Sequence, residues 1–245
     1  MEITGIIPAR FGSTRFLGKP LADIAGVSMI RRVYERATLA NITRVVVATD
    51  DARIAEHVQV FGEVVMTKKE HRTGTDRCSE VAKLLNLSGI VVNIQGDEPL
   101  VSPRQIEAVA NYLVNNPVTD IATVTFPRLD AHDLGNKNVV KAFVRLADYQ
   151  ALDFSRSRWP EGRVLADVPY LVQKHVGMYA FRAAILPILS ALPSSPLELA
   201  ESLEQLRWLE NGFQIGIVET DTETIGVDTP EDIAKIIALI NKYRV

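Results

Sequence analysis

The first half of the chain alternates between short, continuous apolar runs and longer segments with a helical spacing of apolar residues. The apolar runs, all rich in β-branched residues, are ITGIIP, RVVVAT, EVVMT and GIVVNIQ. Continuous rather than alternating apolar positions predict strands that are covered on both faces, as in a parallel sheet. The segments with helical spacing are residues 27–40, 51–61 and 74–87. This order predicts a parallel sheet with helices packed on both faces.

A further helix is predicted by SPRQIEAVANYLVNN, which begins at Ser102. Ser102 is the predicted cap and Pro103 the first helical residue, and Gln105 stands where it would close a capping box. This segment therefore has a strong helix start.

The second half has a different pattern, with three runs typical of strands and little helix between them. These runs are TDIATVTF, NVVKAFVRL and HVGMYAF. Residues 153–170 have no clear period and predict a long loop. The remaining pattern predicts helices at 183–192 and 198–211, a strand pair near 214–227 and a final helix from about 230. We predict one mixed α/β domain over residues 1–245, with a mainly parallel sheet flanked by helices and a small antiparallel subregion.

Composition and charge narrow the classes of function. The 245 residues carry a net charge of −3 at pH 7, which argues against a nucleic-acid-binding protein. No apolar run is long enough to span a membrane, and no signal peptide is visible, so we expect no membrane partner. A single cysteine, Cys78, rules out a disulfide framework within the chain and favours a cytoplasmic location.

The loop PARFGSTRFLGKP follows the first predicted strand and carries Arg10, Arg15 and Lys19. Ligands of open α/β sheets bind at the carboxyl ends of the strands, where this loop lies. It is not a Walker A loop, because Pro20 stands where the metal-binding hydroxyl would be, and it lacks the G-x-G-x-x-G dinucleotide motif. Three cations and free backbone N–H groups suit a triphosphate, whereas a solvated basic loop is the alternative interpretation.

Carboxylates follow two further predicted strands. Gln95, Asp97 and Glu98 come right after the apolar part of a central predicted strand. Asp228 ends a short predicted strand just before the final helix. Asp228 could instead cap that helix. If Asp97 and Asp228 both reach the ligand, they form a Mg²⁺ site, since Mg²⁺ binds through one or two carboxylates plus substrate phosphates. A cationic loop, two aspartates and Mg²⁺ together predict phosphoryl or nucleotidyl transfer.

The motifs IIPARFGSTRFLGKPLADI, VVVATDD, GTDR, VNIQGDEP, KHVGMYAF, SLEQLR and GVDTPEDI occur in this order along nearly the whole chain. In these motifs the chain resembles the 3-deoxy-manno-octulosonate (Kdo) cytidylyltransferases, or CMP-Kdo synthetases. The resemblance implies a Rossmann-like nucleotide-diphospho-sugar transferase fold, a homodimer and dependence on Mg²⁺. It implies that CTP and Kdo react to CMP-Kdo and pyrophosphate, for lipopolysaccharide biosynthesis.

The resemblance also implies roles for individual residues. The residues implied to contact CTP are Pro8, Ala9, Arg10, Arg15, Lys19, Thr73, Gly74, Arg77 and Gln95. Those implied to contact the sugar are Gln95, Arg156, His175, Tyr179, Glu204 and Gln205. Asp97 and Asp228 are the implied metal ligands, and with Lys19 they are the implied catalytic residues. We expect residues 1–125 to form mainly the nucleotide half, 126–211 the sugar and dimer-contact half, and 212–245 a return strand and helix carrying a metal ligand.

Several sugar-side residues have structural alternatives. His175 could be a hydrogen-bonded strand histidine, Tyr179 a core residue, and Glu204 and Gln205 the solvated face of a helix. The chain departs from the family at Leu17, where proline is usual, and at Asp153, where an aromatic residue is more common before F-S-R. These departures keep a second acceptor open, the 8-amino analogue of Kdo, whose ammonium would need a carboxylate such as Asp153 or Glu204 nearby.

Two other classes of protein share parts of this pattern. A nicotinamide-dependent oxidoreductase would have the same alternation of strands and helices, but the missing glycine motif argues against it. A nucleotide-sugar sensor would keep the cationic loop, but would have no reason to keep both Asp97 and Asp228.

Overall fold

The computed structural model describes residues 1–12, 16–157 and 170–243 of the chain. Its strands are β1 (Ile3–Ala9), β2 (Asp23–Ile24), β3 (Val27–Ser28), β4 (Arg44–Thr49), β5 (Val64–Met66), β6 (Ile90–Asn93), β7 (Ile121–Phe126), β8 (Lys141–Arg145), β9 (Ala151–Ser155), β10 (Tyr170–Arg182) and β11 (Ile215–Glu219). Its α-helices are α1 (Met29–Thr38), α2 (Ala52–Val58), α3 (Gly74–Leu84), α4 (Pro103–Asn115), α5 (Ala131–Gly135), α6 (Leu186–Ala191), α7 (Pro196–Glu201), α8 (Glu204–Glu210) and α9 (Asp232–Tyr243).

Nine of the described strands form one sheet, ordered β11-β7-β10-β6-β1-β4-β5, with β8 and β9 added beside β10. Strand β1 pairs in parallel with β4 and β6, β4 with β5, and β7 with β11. Strand β10 runs antiparallel to both β6 and β7. The prediction of a mixed, mainly parallel sheet flanked by helices is therefore confirmed.

An antiparallel extension grows from the long strand β10. The last residues of β10 pair with β6, whereas its first residues pair with β8, which in turn pairs with β9. These three strands form the small antiparallel subregion expected in the second half. A separate two-stranded hairpin joins β2 to β3 through Ala25 and Gly26, both of which have positive φ.

The core lies on both faces of the sheet, as the continuous apolar runs predict. On β1, Ile6 packs with Cys78 and Val81 of α3 on one face. Its neighbour Ile7 packs with Ile30 and Val33 of α1 on the other face. All of these side chains are buried, and burying each apolar side chain of this size contributes about 1.5–3 kcal/mol. The two faces together fix β1 in the middle of the sheet, so its carboxyl end has a defined position.

The predicted helix at 198–211 is wrong as a single element. Ser202 has a φ of 54°, a left-handed conformation that ends α7, and Leu203 is extended before α8 begins at Glu204. Leu203 and Leu206, after the break, are buried in the core, whereas Leu197 and Leu199 of α7 are exposed. Leucines recur along the sequence on both sides of Ser202, so the spacing of apolar residues does not mark the break.

The predicted strand pair near 214–227 is half right. Strand β11 forms, but residues 220–231 contain no strand. Their polar groups are bound elsewhere: the Val227 N–H donates to the Asp97 carbonyl over 2.9 Å, and the Thr222 carbonyl accepts from Gln105 Nε2 over 2.8 Å. The final helix, expected from about 230, begins at Asp232.

The start of α4 also differs from the prediction in one detail. Pro103 is the first helical residue, but the Ser102 side chain makes no capping hydrogen bond. Gln105 does not close a capping box, because its amide donates to Thr220 Oγ1 and to the Thr222 carbonyl instead. The Gln105 side chain thus binds a distant loop instead of the start of the helix, where the local pattern predicted it.

The loop predicted for 153–170 begins later than expected, since β9 continues to Ser155 through its pairing with β8. The end of the predicted loop, at Tyr170, is the first residue of β10. Residues 158–169 of the predicted loop lie outside the described residues. In the part of the chain that the structure describes, no helix combines the length and apolar character needed to cross a bilayer.

Candidate active site

A cleft of about 250 Å³ lies at the carboxyl ends of β1 and β6, beside the first turn of α3. It is lined by Pro8, Ala9, Arg10, Lys19, Pro20, His71, Arg72, Thr73, Gly74, Arg77, Gln95, Gly96 and Asp97. All of the residues expected to contact CTP are in this lining except Arg15, which lies outside the described residues. The fold therefore brings together three segments that are far apart in the sequence.

Two close approaches of the backbone allow these segments to meet. A Cβ atom on Gly96 would lie 2.7 Å from the Pro8 carbonyl oxygen, so only glycine lets the loop after β6 lie against the end of β1. At Gly74 a Cβ atom would lie 3.2 Å from Asn93 Nδ2. The floor of the cleft is thus formed by backbone in direct contact.

Helix α3 begins at the cleft with a capping box. Thr73 Oγ1 accepts from the Asp76 N–H over 3.1 Å, and Asp76 Oδ2 accepts from the Thr73 N–H over 3.2 Å. The box fixes where the helix starts and directs its first turn, with the positive end of the helix dipole, toward the cleft.

Arg77 forms one wall of the cleft and is held in place from behind. Its Nη2 lies 3.4 Å from Asp50 Oδ2, and its Nη1 donates to the Thr67 hydroxyl. The residue is only 3% exposed, so its guanidinium has little freedom to move. Sequence reasoning did not select Asp50, although it follows β4 in the same way that Asp97 follows β6.

An ion pair in the cleft joins Lys19 to Asp97. Lys19 Nζ lies 2.7 Å from Asp97 Oδ2 and also donates to the Val227 carbonyl over 2.9 Å. The Val227 N–H donates to the Asp97 carbonyl over 2.9 Å. These three hydrogen bonds fasten the segment that precedes Asp228 to the loop that carries Asp97.

A carboxylate in the first turn of α9 binds the backbone that leads into the helix. Asp232 Oδ2 accepts from the N–H groups of Asp228 and Thr229, over 3.1 and 3.0 Å. The hydrogen bond from Lys235, followed by these backbone bonds, holds the pKa of Asp232 well below its usual value. Asp228 itself is exposed, and it directly follows Val227, whose backbone contacts Lys19 and Asp97.

Glu98, beside Asp97, is in an unusual environment. Burial raises its pKa to about 8, and the neighbouring charge of Asp97 adds to the shift. Its Oε2 is buried without a hydrogen-bond partner among the described residues. Asn93 Oδ1, at the end of β6, is likewise buried and unpartnered there. Asn93 was missed from the sequence, although a polar residue that ends an apolar run was the available signal.

Gln95 lies between the cleft and the second half of the chain. Its Nε2 donates to the Gly177 carbonyl over 2.6 Å, at the irregular point of β10 between Val176 and Tyr179. This contact connects the nucleotide-side cleft to the strand that carries the expected sugar residues His175 and Tyr179.

His175 and Tyr179 lie in a buried aromatic cluster rather than in the cleft lining. His175 Nε2 is 2.9 Å from Thr123 Oγ1, and its ring is 5.0 Å from the Phe154 ring. Burial lowers the pKa of His175 to about 3, so its imidazole is neutral at pH 7. Burial, with the nearby negative charge of Glu204, raises the pKa of Tyr179. His175 can therefore offer a hydrogen bond but not a positive charge.

Arg156 is bound to backbone carbonyls at the end of α7. Its Nε donates to the Glu201 carbonyl over 2.8 Å, and its own N–H donates to Glu201 Oε2 over 2.9 Å. Its guanidinium also reaches the carbonyls of Lys137 and Ser202. In this structure Arg156 secures the turn between α7 and α8, outside the cleft lining.

Glu204 and Gln205 begin α8 and are not on a solvated face. Glu204 Oε2 accepts from Thr75 Oγ1 over 2.9 Å, and its Oε1 accepts from Arg207 Nη2 over 2.8 Å. Burial raises the pKa of Glu204. Gln205 is buried, and its Nε2 has no hydrogen-bond partner among the described residues.

Asp153, the departure at the start of F-S-R, does not line the cleft. It borders a separate groove of about 380 Å³ beside β9, together with Leu152, Leu197 and Leu206. Its carboxylate accepts from the Phe154 N–H over 2.7 Å, and burial raises its pKa.

The protein is thus a mixed α/β protein with a cationic cleft at the carboxyl ends of parallel strands. Residues 4–225 match the cytidylyltransferase family, and the chain belongs to that family. It is 48% identical to 3-deoxy-manno-octulosonate cytidylyltransferase of Syntrophotalea carbinolica, over 96% of this chain and 97% of the relative. It is 49% identical to the protein of the same name from Syntrophobacter fumaroxidans, over 98% of this chain and 97% of the relative.

A solved structure gives the same result at the level of the fold. The structure of CMP:2-keto-3-deoxy-manno-octonic acid synthetase, complexed with CTP, is similar with a TM-score of 0.92. The two chains are 41% identical, and the match covers 99% of this chain and 100% of the other. The suspected resemblance is thus confirmed. Individual site roles stay predictions, including those of Lys19, Asp97 and Asp228.

Proposed function

We propose that this protein transfers the cytidylyl group of CTP to Kdo, giving CMP-Kdo and pyrophosphate for lipopolysaccharide biosynthesis. The observation that carries the proposal is one cleft that joins Lys19, Asp97 and Gln95 to the start of α3. Relatives that are 48–49% identical over nearly the whole chain are named for this reaction. A solved neighbour was complexed with CTP.

In the proposed reaction the anomeric hydroxyl oxygen of the sugar forms a bond to the α-phosphorus of CTP. The bond from that phosphorus to the bridging oxygen of the β-phosphate breaks, pyrophosphate leaves with the electron pair, and the hydroxyl proton is released to solvent. No protein nucleophile is required, so positioning and charge stabilisation supply the rate. Among the described residues of the cleft loop, Arg10 and Lys19 are the cations that would offset the phosphate charge.

The residues present fit Mg²⁺, which prefers a few carboxylate ligands and completes its shell with water and substrate phosphates. Asp97 would hold the ion from the loop after β6, and Asp228 from the segment fastened to that loop by Val227. When bound, the ion would offset phosphate charge and help to orient the α-phosphate. Lys19, whose ammonium lies 2.7 Å from Asp97 Oδ2, would exchange that carboxylate for a phosphate oxygen when the nucleotide binds.

Gln95 would lie between the two substrates, because it lines the cleft and bonds to β10. The sugar would then extend toward Tyr179 and the first turn of α8. The neutral imidazole of His175 would contribute hydrogen bonding rather than charge. Arg156 would have to exchange a carbonyl partner to reach the sugar carboxylate, since its donors are bound to the end of α7.

The 8-amino analogue of Kdo is not favoured as the acceptor. The relatives reported above are named for the plain sugar. Of the two carboxylates that could have paired with an ammonium, Asp153 borders the groove beside β9 instead of the cleft, and Glu204 is bound by Thr75 and Arg207. A nicotinamide-dependent oxidoreductase is likewise not favoured, given the cytidylyltransferase family match.

A homodimer is part of the proposal. The groove beside β9 is bordered by the exposed apolar side chains of Leu152 and Leu197, which a second copy would cover. We expect Leu197→Glu to shift the protein toward monomer in sedimentation experiments. Leu39→Glu, at a still more exposed leucine after α1, is the control and should leave the mass unchanged. A wild-type protein that sediments as a monomer would contradict this part.

The experiment that tests the function is a matrix of pyrophosphate release. Four nucleoside triphosphates are each combined with Kdo, its 8-amino analogue and a nine-carbon acid sugar, with Mg²⁺ present. We expect release with CTP and Kdo. A strong preference for the 8-amino sugar would change the acceptor but keep the reaction, whereas no release with any acid sugar would support a nucleotide-sugar sensor.

A further inference from the structure

A side-chain hydrogen bond joins helix α3 to helix α8, and the sequence gives no reason to expect it. Thr75, in the first turn of α3, donates its hydroxyl to Glu204 Oε2 over 2.9 Å. The two residues are 129 positions apart in the chain. Thr75 is nearly fully buried, so water does not compete readily for its hydroxyl. The contact joins the helix that lines the nucleotide cleft to the helix that begins with the expected sugar residues.

The rest of the Glu204 carboxylate is held as well. Its Oε1 accepts from Arg207 Nη2 over 2.8 Å, and Arg207 is in turn 3.6 Å from Glu198 Oε2 on α7. The Arg207 contact orients Glu204 within α8, because the two residues are one helical turn apart. The Thr75 contact is different, since it fixes α8 relative to another part of the fold.

The surroundings of this contact are rich in buried polar groups. Gln205 follows Glu204, and its buried Nε2 has no partner among the described residues. Tyr179 packs edge-on against Trp208 of α8, with 5.1 Å between the ring centroids. A buried amide without a partner is costly and suggests that a polar ligand completes its bonding. The position of α8 therefore decides where Gln205 and Glu204 meet that ligand.

We propose that Thr75 is a positioning residue for the acid sugar, although it lies on the nucleotide-side helix. Its hydroxyl holds Glu204, and thereby the first turn of α8, at the spacing from the cleft that transfer requires. This inference rests on the proposed function. It adds a residue that is absent from the cleft lining and was not among the residues expected to contact either substrate.

Although Thr75 lies on the helix that lines the nucleotide cleft, the proposal predicts that its loss affects the sugar more than the nucleotide. A general disturbance of α3 would weaken CTP, because Thr73, Gly74 and Arg77 line the nucleotide cleft. Loss of the Thr75 hydroxyl alone should instead raise the KM for Kdo. A hydrogen bond to a charged group is worth roughly a factor of ten or more in an equilibrium, so we expect a rise of about tenfold. The KM for CTP should change by less than about threefold, the scatter expected for a distant effect.

The experiment compares Thr75→Val, which keeps the shape but removes the hydroxyl, with Thr75→Ser, which keeps the hydroxyl. Steady-state pyrophosphate release gives the two KM values separately, and thermal unfolding verifies that each variant is folded. Thr4→Val is the matched control, a buried threonine at the amino end of β1. We expect Thr75→Ser and Thr4→Val to keep a Kdo KM near that of the wild type.

A second measurement asks whether Thr75 acts through Glu204. Calorimetry gives the Kdo dissociation constant for Thr75→Val in the wild-type background and in a Glu204→Ala background. The Thr75→Val effect should disappear once Glu204 is gone. An equal effect in both backgrounds, or a selective loss of CTP affinity, would overturn the proposal. If the wild type transfers cytidylyl groups and Thr75→Val does so with an unchanged Kdo KM, this inference fails alone; an inactive wild type would refute the proposed function instead.

Discussion

Lys19→Met removes an ammonium group from the cleft while keeping the length of the side chain. In the structure this ammonium donates to Asp97 Oδ2 over 2.7 Å and to the Val227 carbonyl over 2.9 Å. We expect the change to affect the reaction far more than the stability of the fold, because the two losses have different physical origins.

The stability loss should be small. The Asp97 side chain is 34% exposed, so water can solvate its carboxylate when the ammonium is removed. A partly exposed ion pair is worth about 1 kcal/mol or less after solvent screening. For a chain of this size, 1 kcal/mol corresponds to a fall of about 2–4 °C in the melting temperature.

The catalytic loss should be much larger, because charge develops on the phosphates during transfer. Water cannot stabilise that charge as well as a cation held in a fixed position. Removing one such group commonly lowers the rate by about 10²–10³. Affinity for CTP should fall more than affinity for Kdo, because the phosphates carry most of the negative charge that the Lys19 ammonium would offset. Pyrophosphate release gives kcat and both KM values, and calorimetry gives the CTP dissociation constant.

Arg31→Met is a suitable control, since it breaks an exposed ion pair of 2.7 Å with Glu35 on α1, outside the cleft lining. The control should keep wild-type kinetics. The reasoning is refuted if Lys19→Met retains kcat and CTP affinity within about threefold of the wild type, or if its melting temperature falls so far that the fold itself is lost.

Three further predictions follow from the same geometry. Asp97→Asn should lower kcat by about 10²–10³ at saturating Mg²⁺, and activity within a few-fold of the wild type would remove Asp97 from the metal site. Gly96→Ala should weaken CTP binding and lower the melting temperature, because its Cβ would lie 2.7 Å from the Pro8 carbonyl; unchanged values in both assays would contradict this contact. His175 has a pKa lowered by burial to about 3, so the unfolded chain binds its proton more readily. Its contribution to stability is complete above about pH 6.5 and is lost progressively as pH falls toward 3, and His175→Gln should flatten this part of an unfolding curve measured against pH.

The sheet could be predicted from the sequence because its signal is local. Runs such as RVVVAT are buried on both faces, and burial on both faces leaves continuous apolar positions. The loop of Lys19 and the turn of Asp97 could also be predicted to meet, since both follow parallel strands whose carboxyl ends share one edge. The family motifs then added the kind of ligand.

Other features could not be predicted because their causes are not local. Strand β9 contains Asp153 and Ser155, which conceal its apolar alternation, and it exists through pairing with β8. The break at Ser202 leaves the apolar spacing intact, so periodicity could not reveal it. The contact from Thr75 to Glu204 depends on how two distant helices pack, and no spacing rule reaches across 129 residues.

Arg156 illustrates how a correct motif can leave a contact open. Its place in F-S-R implied a sugar ligand, yet its donors bind the carbonyls at the end of α7 in this structure. The motif fixes the position of the side chain directly after β9, but its partner depends on what lies opposite. Substitution of Arg156 by lysine, which has no planar fork, would separate the two roles through the Kdo KM and the melting temperature.

The central claim is tested most directly by following the α-phosphate of CTP. The wild-type protein is incubated with Mg²⁺, Kdo and CTP labelled at the α-phosphorus, and the products are separated and identified by mass. The account predicts that the label appears in CMP-Kdo, with one pyrophosphate released for each sugar nucleotide formed, and that chelation of the metal stops both. Label that stays in CTP, or that is released as free CMP without a sugar nucleotide, would contradict the account.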